Sequence, residues 1–236
     1  RCNPSSGNLH PTECYLLTPP LDASAEKKFV SLFHYNVLLH TLEKRGDYSS
    51  EAIESLNLIP GDRMLLGLCS IPWRESWKYG ERAFRYCHHD AGHAIAAFSY
   101  AAKSLGWHVK LLDNNRDEIV QDWLGVSELQ LGPEAEHADC ILVLSRTPLE
   151  SEEDITYELP HAEEIQLLGT PNELTEKDGH QPWPIIDSVA HATSIDNYTP
   201  LPLKSYESSA DSGANSTTSF SLFSSGKGSA RDVSVR

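Results

Sequence analysis

At 236 residues the chain has room for one sizeable domain with its own core, or for a domain and a tail. Its formal net charge of −15, from 34 acidic against 19 basic side chains, argues against non-specific binding to nucleic acid or an anionic membrane, both of which need basic patches; an anionic ligand in a locally positive pocket stays open. The five cysteines, odd in number and without a CxxC pair, read as reduced thiols in a cytoplasmic protein, and no apolar run approaches the roughly 20 residues of a transmembrane helix.

No signal peptide is visible, and the first residue is Arg1 and not Met, so the sequence reads as a fragment or a processed chain. The opening stretch RCNPSSGNLHPTECYLL combines turn-forming residues with a strand start. Pro4 fixes φ, Ser5 and Ser6 offer hydroxyls and backbone donors, Gly7 permits close approach, and Asn8 can brace the loop. Two readings follow: an ordinary surface turn, or a backbone nest for a planar or phosphorylated ligand. ECYLLTP (13–19) is then a short buried strand, KFVSLFHYN (28–36) its hairpin partner, and VLLHTLEKR a helical turn. RMLLGLCSI (63–71) is another apolar strand.

The clearest helix runs from about Arg82 to Leu105. Ala91, Ala94, Ile95, Ala97, Phe98, Ala101, Ala102 and Leu105 follow i, i+3, i+4 spacing, and Gly106 stands where a C-terminal cap belongs. Its alanine stripe permits close backbone packing, which makes it the central core helix. WHVKLLD (107–113) reads as a strand, and NRDEIVQDWLG (115–125) as a helix capped by Asn114 or Asn115 and closed by Gly125. ADCILVLS (138–145) is a strongly buried strand; a long loop over 169–187 and a short helix, DSVAHAT, follow. Strands and helices alternate without a strict βαβ repeat, which favours α+β. From about Lys204 the chain is dominated by Ser, Gly, Ala and Thr and cannot bury enough surface to offset its ordering entropy. The expected division is a domain over 1–200 and a disordered tail or linker over 201–236.

Three stretches carry candidate chemistry. In YCHHDAGH (86–93), His89 and His93 share a helix face beside Asp90, but a zinc site needs three or four ligands and no HExxH order is present, so no metal is expected. In WRESWKYGERAFRY (73–86), Trp73, Trp77, Tyr79, Phe84 and Tyr86 lie among Arg74, Lys78, Arg82 and Arg85. This is either a core edge with snorkelling cations or an aromatic and basic wall around an anionic aromatic ligand, where a Lys beside a Tyr can exchange protons. There is no GxGxxG, P-loop or GxSxG motif.

PSSGNLHP (4–11), KYGERAFRY (78–86) and GHAIAAFSYAAKSLGW (92–107), in that order, resemble the nitroreductase-like flavoprotein family, in particular its SagB-type dehydrogenase or azoline oxidase branch. The resemblance spans roughly residues 1 to 145. It implies an α+β nitroreductase-like fold, with a mostly antiparallel central sheet flanked by helices and a long Ala-rich helix, usually a homodimer with FMN at the interface. Some relatives carry two such lobes in one chain. By that likeness Pro4, Ser5, Ser6, Gly7 and Asn8 run along the flavin ring, Asp113 and Asn114 face its reactive edge, and Lys78 and Tyr79 are catalytic. Lys78 would take a proton from the substrate carbon while hydride passes to FMN, with Tyr79 assisting. Family members also grip the FMN phosphate with an Arg-rich segment upstream of the loop, which would precede Arg1, and with a basic residue after the last strand, for which Arg146 is the candidate. The implied activity is hydride transfer between flavin and a small-molecule or peptide-derived substrate, with NAD(P)H as a possible co-substrate. The alternative is a flavin-free lobe serving as a dimerisation or peptide-binding module.

Overall fold

The computed structural model describes residues 2–20, 29–56, 58, 62–112, 115–127, 134–149, 159, 162, 165–169 and 183–194. The expected tail over 201–236 and most of the 169–187 loop lie outside them, as do Asp113 and Asn114. Among the described residues, six strands form one sheet: β1 (Thr12–Thr18), β2 (Val30–Asn36), β3 (Thr41–Tyr48), β4 (Arg63–Ser70), β5 (His108–Leu111) and β6 (His137–Ser145). Their order is β3-β2-β1-β4-β6-β5, and every neighbouring pair is antiparallel.

The period-two pleat sends alternate side chains of β1 to opposite faces. Tyr15 and Leu17 join Val30, Leu32, Leu65, Cys69, Ile141 and Val143 in the larger core, covered by α1 (Ser50–Ser55) and α4 (Asp117–Leu124), whose Ile119, Val120, Trp123 and Leu124 point inward. Cys14 and Leu16 face the other way with Leu66, Leu68 and Leu142, beneath Ala94, Ile95 and Phe98 of α3 (Ala83–Ser104). Both faces of the sheet are therefore covered, and at Gly67 on β4 the helix layer lies close against the sheet: a Cβ there would stand 2.2 Å from Leu124. The helix expected over 82–105 is α3, closed as anticipated, with the N–H of Gly106 bonded to the carbonyl of Lys103 at a φ of +76°. α2 (Trp73–Tyr79) and a 3-10 turn (Gly80–Arg82) lead into it, and α5 (Pro184–Thr193) packs beside it. None of the described helices is long and apolar enough to cross a membrane.

Two local expectations need correcting. VLLHTLEKR is not a helical turn: residues 37–40 make a tight turn and β3 follows, paired to β2 from Asn36↔Thr41 onward. The side-chain oxygen of Asn36 accepts the N–H groups of Leu38 and Leu39 at 3.0 Å each, which closes the turn and returns the chain as a strand. Nor does Asn115 cap α4. The N-cap position belongs to Arg116, which makes no side-chain capping bond, and Asn115 instead accepts the N–H of Leu159 at 2.9 Å. The closing Gly125 is as expected, left-handed at φ +63°.

Candidate functional site

The opening loop owes its shape to one acidic residue 85 positions away. Asp90, 1% exposed on α3, accepts the Ser5 hydroxyl at 2.5 Å and the Ser6 N–H at 3.1 Å. The Ser5 oxygen also accepts the N–H of His10 at 2.8 Å, and the Asn8 N–H bonds back to the Ser5 carbonyl at 3.0 Å. Residues 6–8 form a single 3-10 turn in which Gly7 takes φ +57° and Asn8 φ +61°, the left-handed region that L side chains seldom occupy. With both serines turned to Asp90, the loop presents Gly7 and Asn8 outward; the Asn8 side-chain oxygen lies 2.8 Å from Nε2 of His10. Pro4 is exposed just upstream.

Gly7 lies directly against the lysine-tyrosine segment. A Cβ built on it would stand 2.5 Å from Oη of Tyr79 and 2.7 Å from Nζ of Lys78, so only glycine leaves the two side-chain ends where they are. Lys78 is exposed, its Nζ 5.3 Å from the Tyr79 ring centroid, and Tyr79 packs edge-to-face on Tyr86 at 4.7 Å. Gly80 then turns the chain at φ +60°, with Trp183 covering it. The sequence thus brings Ser5, Ser6, Gly7 and Asn8 together with Lys78 and Tyr79.

The aromatic and basic segment divides into two faces. Trp77, Lys78, Arg82 and Arg85 are exposed, whereas Arg74 turns inward to a buried polar network on the larger core's side of the sheet. Its guanidinium pairs with Glu13, and with Glu134 at 2.9 Å. Glu13 also meets His34 at 2.7 Å, and His34 reaches Glu43 at 3.3 Å on its other ring nitrogen. Burial opposes ionisation at both Glu13 and His34, but at Glu13 the His34 hydrogen bond and the Arg74 charge prevail, and at His34 the hydrogen bond and charge of Glu13 do. Glu13 is held below the ordinary carboxylate range and His34 above the usual imidazole value. Nearby, burial pushes Glu136, which accepts the Tyr15 hydroxyl at 2.8 Å, up to about 7. This network anchors the start of the helix that ends in Lys78 and Tyr79.

Two residues of this region carry weight that sequence reading did not give them. Asp90 attracts attention beside His89 and His93 as a metal ligand, yet it holds the loop; both histidines are exposed, and no group of His, Cys, Asp or Glu among the described residues could hold a metal ion. Glu75 is fully buried, and neither of its carboxyl oxygens has a hydrogen-bond partner. Its signal in the sequence is only its place three residues before Lys78. Arg146 stands over the Trp107 ring at 5.6 Å, past the far end of α3 from the loop.

No curated protein matches the chain. Among solved structures, a candidate nitroreductase of Anabaena variabilis is 18% identical over 88% of this chain and 39% of its own, at a TM-score of 0.54, a likeness of fold. A chain of the E. coli microcin synthetase McbBCD complex is 18% identical over 62% of this chain and 55% of its own (TM-score 0.48). A candidate nitroreductase of Ralstonia eutropha is 15% identical over 63% of each (TM-score 0.45). The chain thus spans between about two fifths and three fifths of the length of these proteins. The sequence pattern of the Nitroreductase family matches residues 2–143, more than half of the chain, and the chain belongs to that family.

Proposed function

We propose that the protein is an FMN-dependent oxidoreductase of the SagB-type dehydrogenase kind, with Lys78 as the base and Tyr79 as its assistant. The single observation that carries the reading is the contact of Gly7 with the ends of Lys78 and Tyr79. A left-handed glycine turn, the outward amide of Asn8, a lysine amine and a phenol meet at one place and offer polar groups suited to the edge of a flat ring, and a side chain at position 7 would displace the lysine and tyrosine ends from it. Pro4, Ser5, Ser6, Gly7 and Asn8 would hold the ring, with Asp113 and Asn114 at its reactive edge. Bound FMN supplies the hydride acceptor.

The protein's own part is proton management and order. Asp90 fixes the loop through Ser5 and Ser6; Lys78, at the end of α2, accepts the proton of the substrate carbon; Tyr79 holds the amine through its ring and offers a hydroxyl beside it. Family membership supports flavin-dependent oxidoreduction in general. The lysine-tyrosine pair favours dehydrogenation, as of an azoline in a modified peptide, over NAD(P)H-driven reduction of a nitro or quinone compound. The protein would act in the cytoplasm as a homodimer or beside a second nitroreductase-like lobe. All five cysteines are free, which accords with that compartment.

Purified protein tests this. A preparation that absorbs at about 450 nm, or gains that absorbance with added FMN, supports the enzyme. A colourless protein that takes up no FMN points instead to the flavin-free module, in which the Asp90-bound loop serves only to close the end of the domain. Where flavin is held, Lys78→Ala is expected to reduce dehydrogenation by about 100-fold or more while flavin content stays near that of the parent. Equal loss of both would remove Lys78 from catalysis.

A further inference from the structure

Three residues of the opening loop are left-handed: Gly7 at φ +57°, Asn8 at φ +61° and His10 at φ +52°. Glycine enters that region freely and asparagine tolerates it, but a histidine there is strained. Pro11 sharpens the point, because the residue before a proline is pushed toward extended backbone at negative φ. Glycine or asparagine at position 10 would hold the same turn with less strain. What histidine adds is a ring nitrogen that reaches back to the loop: its Nε2 lies 2.8 Å from the side-chain oxygen of Asn8. The backbone of His10 is fixed as well. Its N–H bonds to the Ser5 hydroxyl oxygen at 2.8 Å, and that hydroxyl is donated to the buried carboxylate of Asp90 at 2.5 Å. A series of contacts therefore runs from Asp90 in α3 through Ser5 and His10 to the exposed amide of Asn8.

Resting on the reading of this loop as part of an FMN site, we infer that His10 is a positioning residue: its Nε2–H donates to the Asn8 side-chain oxygen and so turns the Asn8 NH2 out of the loop as a hydrogen-bond donor. An amide side chain has one accepting and one donating end, and a half-turn about its last bond exchanges them. An exposed asparagine that nothing holds offers a ligand either end. Held by its oxygen, Asn8 offers only N–H. The loop then selects a ring with an acceptor on the edge that faces position 8, a carbonyl oxygen or an unprotonated ring nitrogen, and disfavours one that presents only donors there. Gly7, the preceding residue, lies against the ends of Lys78 and Tyr79, so the edge chosen by Asn8 is also the one near the proposed base. The bond between His10 and Asn8 is exposed and forms in competition with water, so its effect is modest: a net hydrogen bond of that kind corresponds to roughly 3- to 10-fold in affinity.

The orientation is read first without flavin. Two-bond proton–nitrogen NMR spectra of the full chain at about pH 8.5, where an ordinary imidazole is neutral, show which ring nitrogen of His10 carries the proton. A proton on Nε2 is expected. A bare Nε2 would mean that Asn8 gives its NH2 to the ring and its oxygen to the outside, which overturns the inference. The second readout is the Kd for FMN, from quenching of flavin fluorescence. His10→Asn keeps a residue that tolerates the left-handed region but is too short to make the contact of the ring. It is expected to raise the Kd roughly 3- to 10-fold with no loss of thermal midpoint. Added to Asn8→Ala it should raise the Kd no further, because His10 acts only through Asn8. No rise in the parent, or an equal rise in both backgrounds, overturns the assignment, since a general brace of the loop would cost the same whether or not the amide is there. Should His10→Asn not fold, the tautomer of the parent decides alone. If the chain takes up no FMN, the proposed function fails, while the tautomer still decides how Asn8 is held.

Discussion

Replacing Asp90 by alanine tests whether one carboxylate shapes the opening loop. The carboxylate receives two firm bonds, from the Ser5 hydroxyl at 2.5 Å and the Ser6 N–H at 3.1 Å, and a marginal one from the Ser6 hydroxyl at 3.5 Å. A hydrogen bond to a charged acceptor is worth about 1.5–3 kcal/mol. The loop is only partly buried and regains water when released, so the low end applies, and the two bonds together hold it by about 3 kcal/mol. That equals roughly a 100-fold change in the opening equilibrium. Hydrogen exchange at the Ser6 amide, followed by NMR or mass spectrometry, should accelerate by about that factor in Asp90→Ala, and by less in Asp90→Asn, which keeps one acceptor oxygen. Global stability should fall by only about 1 kcal/mol, because the start of β1 stays tied to the end of β4 through the Ile71 N–H and the Pro11 carbonyl at 2.9 Å. If Ser6 exchange rises less than about 3-fold, the loop is held by its own internal bonds, from Asn8 and His10 to Ser5, and Asp90 does not organise the site.

Glu13→Ala should destabilise the protein by about 3–5 kcal/mol in urea denaturation, because Arg74 and His34 each lose a buried anion. In the parent, the depressed Glu13 supports the fold above its unfolded value of 4.5 and that support fades as pH falls through its folded value; the raised His34 supports the fold below 6.5 and that support fades as pH climbs through its folded value. Glu75 and Glu136 act with the opposite sign for carboxyls. Both rise from 4.5 to about 7 on folding, so the native state holds extra protons and stability should drop between those pH values by up to roughly 3 kcal/mol per group. Thermal melts at stepped pH should show that slope flatten in Glu75→Gln or Glu136→Gln, and an unchanged slope would mean the carboxyls are solvated. Gly67→Ala should cost about 1–3 kcal/mol in thermal denaturation, since the new methyl meets Leu124, itself without exposure, at 2.2 Å; a neutral result would mean that α4 slides aside freely.

Most of the fold was legible because its signals are local. Alternation in KFVSLFHYN, the alanine stripe before Gly106, and Gly125 at the end of α4 each report a period or a cap that tertiary packing did not override. β3 was missed because its stabilisation is not local. TLEKRGDY has no apolar alternation, and its strand state depends on the Asn36 turn and on Glu43 meeting Asn36 and His34 across the hairpin. The site divides in the same way. Gly7 and the Lys78–Tyr79 pair were visible as short motifs, whereas nothing in the spacing of Ser5 and Asp90 says that they bond, and Arg74 looks like its exposed neighbours until the fold turns it toward Glu13.

These buried partners explain why the exposed pair can be placed accurately. α2 has only seven residues, too short to be stable by its own helix propensity. It is held in three ways: Arg74 in the ionic network under the sheet, Glu75 and Ser76 against the interior, and Gly80 beneath Trp183. Fixed at both ends, it offers Lys78 and Tyr79 little freedom beyond their own side-chain rotations, and the Asp90-bound loop limits those by placing Gly7 against their tips. Under the proposed reading, in which Lys78 takes a proton from carbon, a rigid support built from buried charge would serve a step that is sensitive to the placement of the base. In a purely structural lobe, apolar residues in place of Glu13, Arg74 and His34 would support the same helix at least as well.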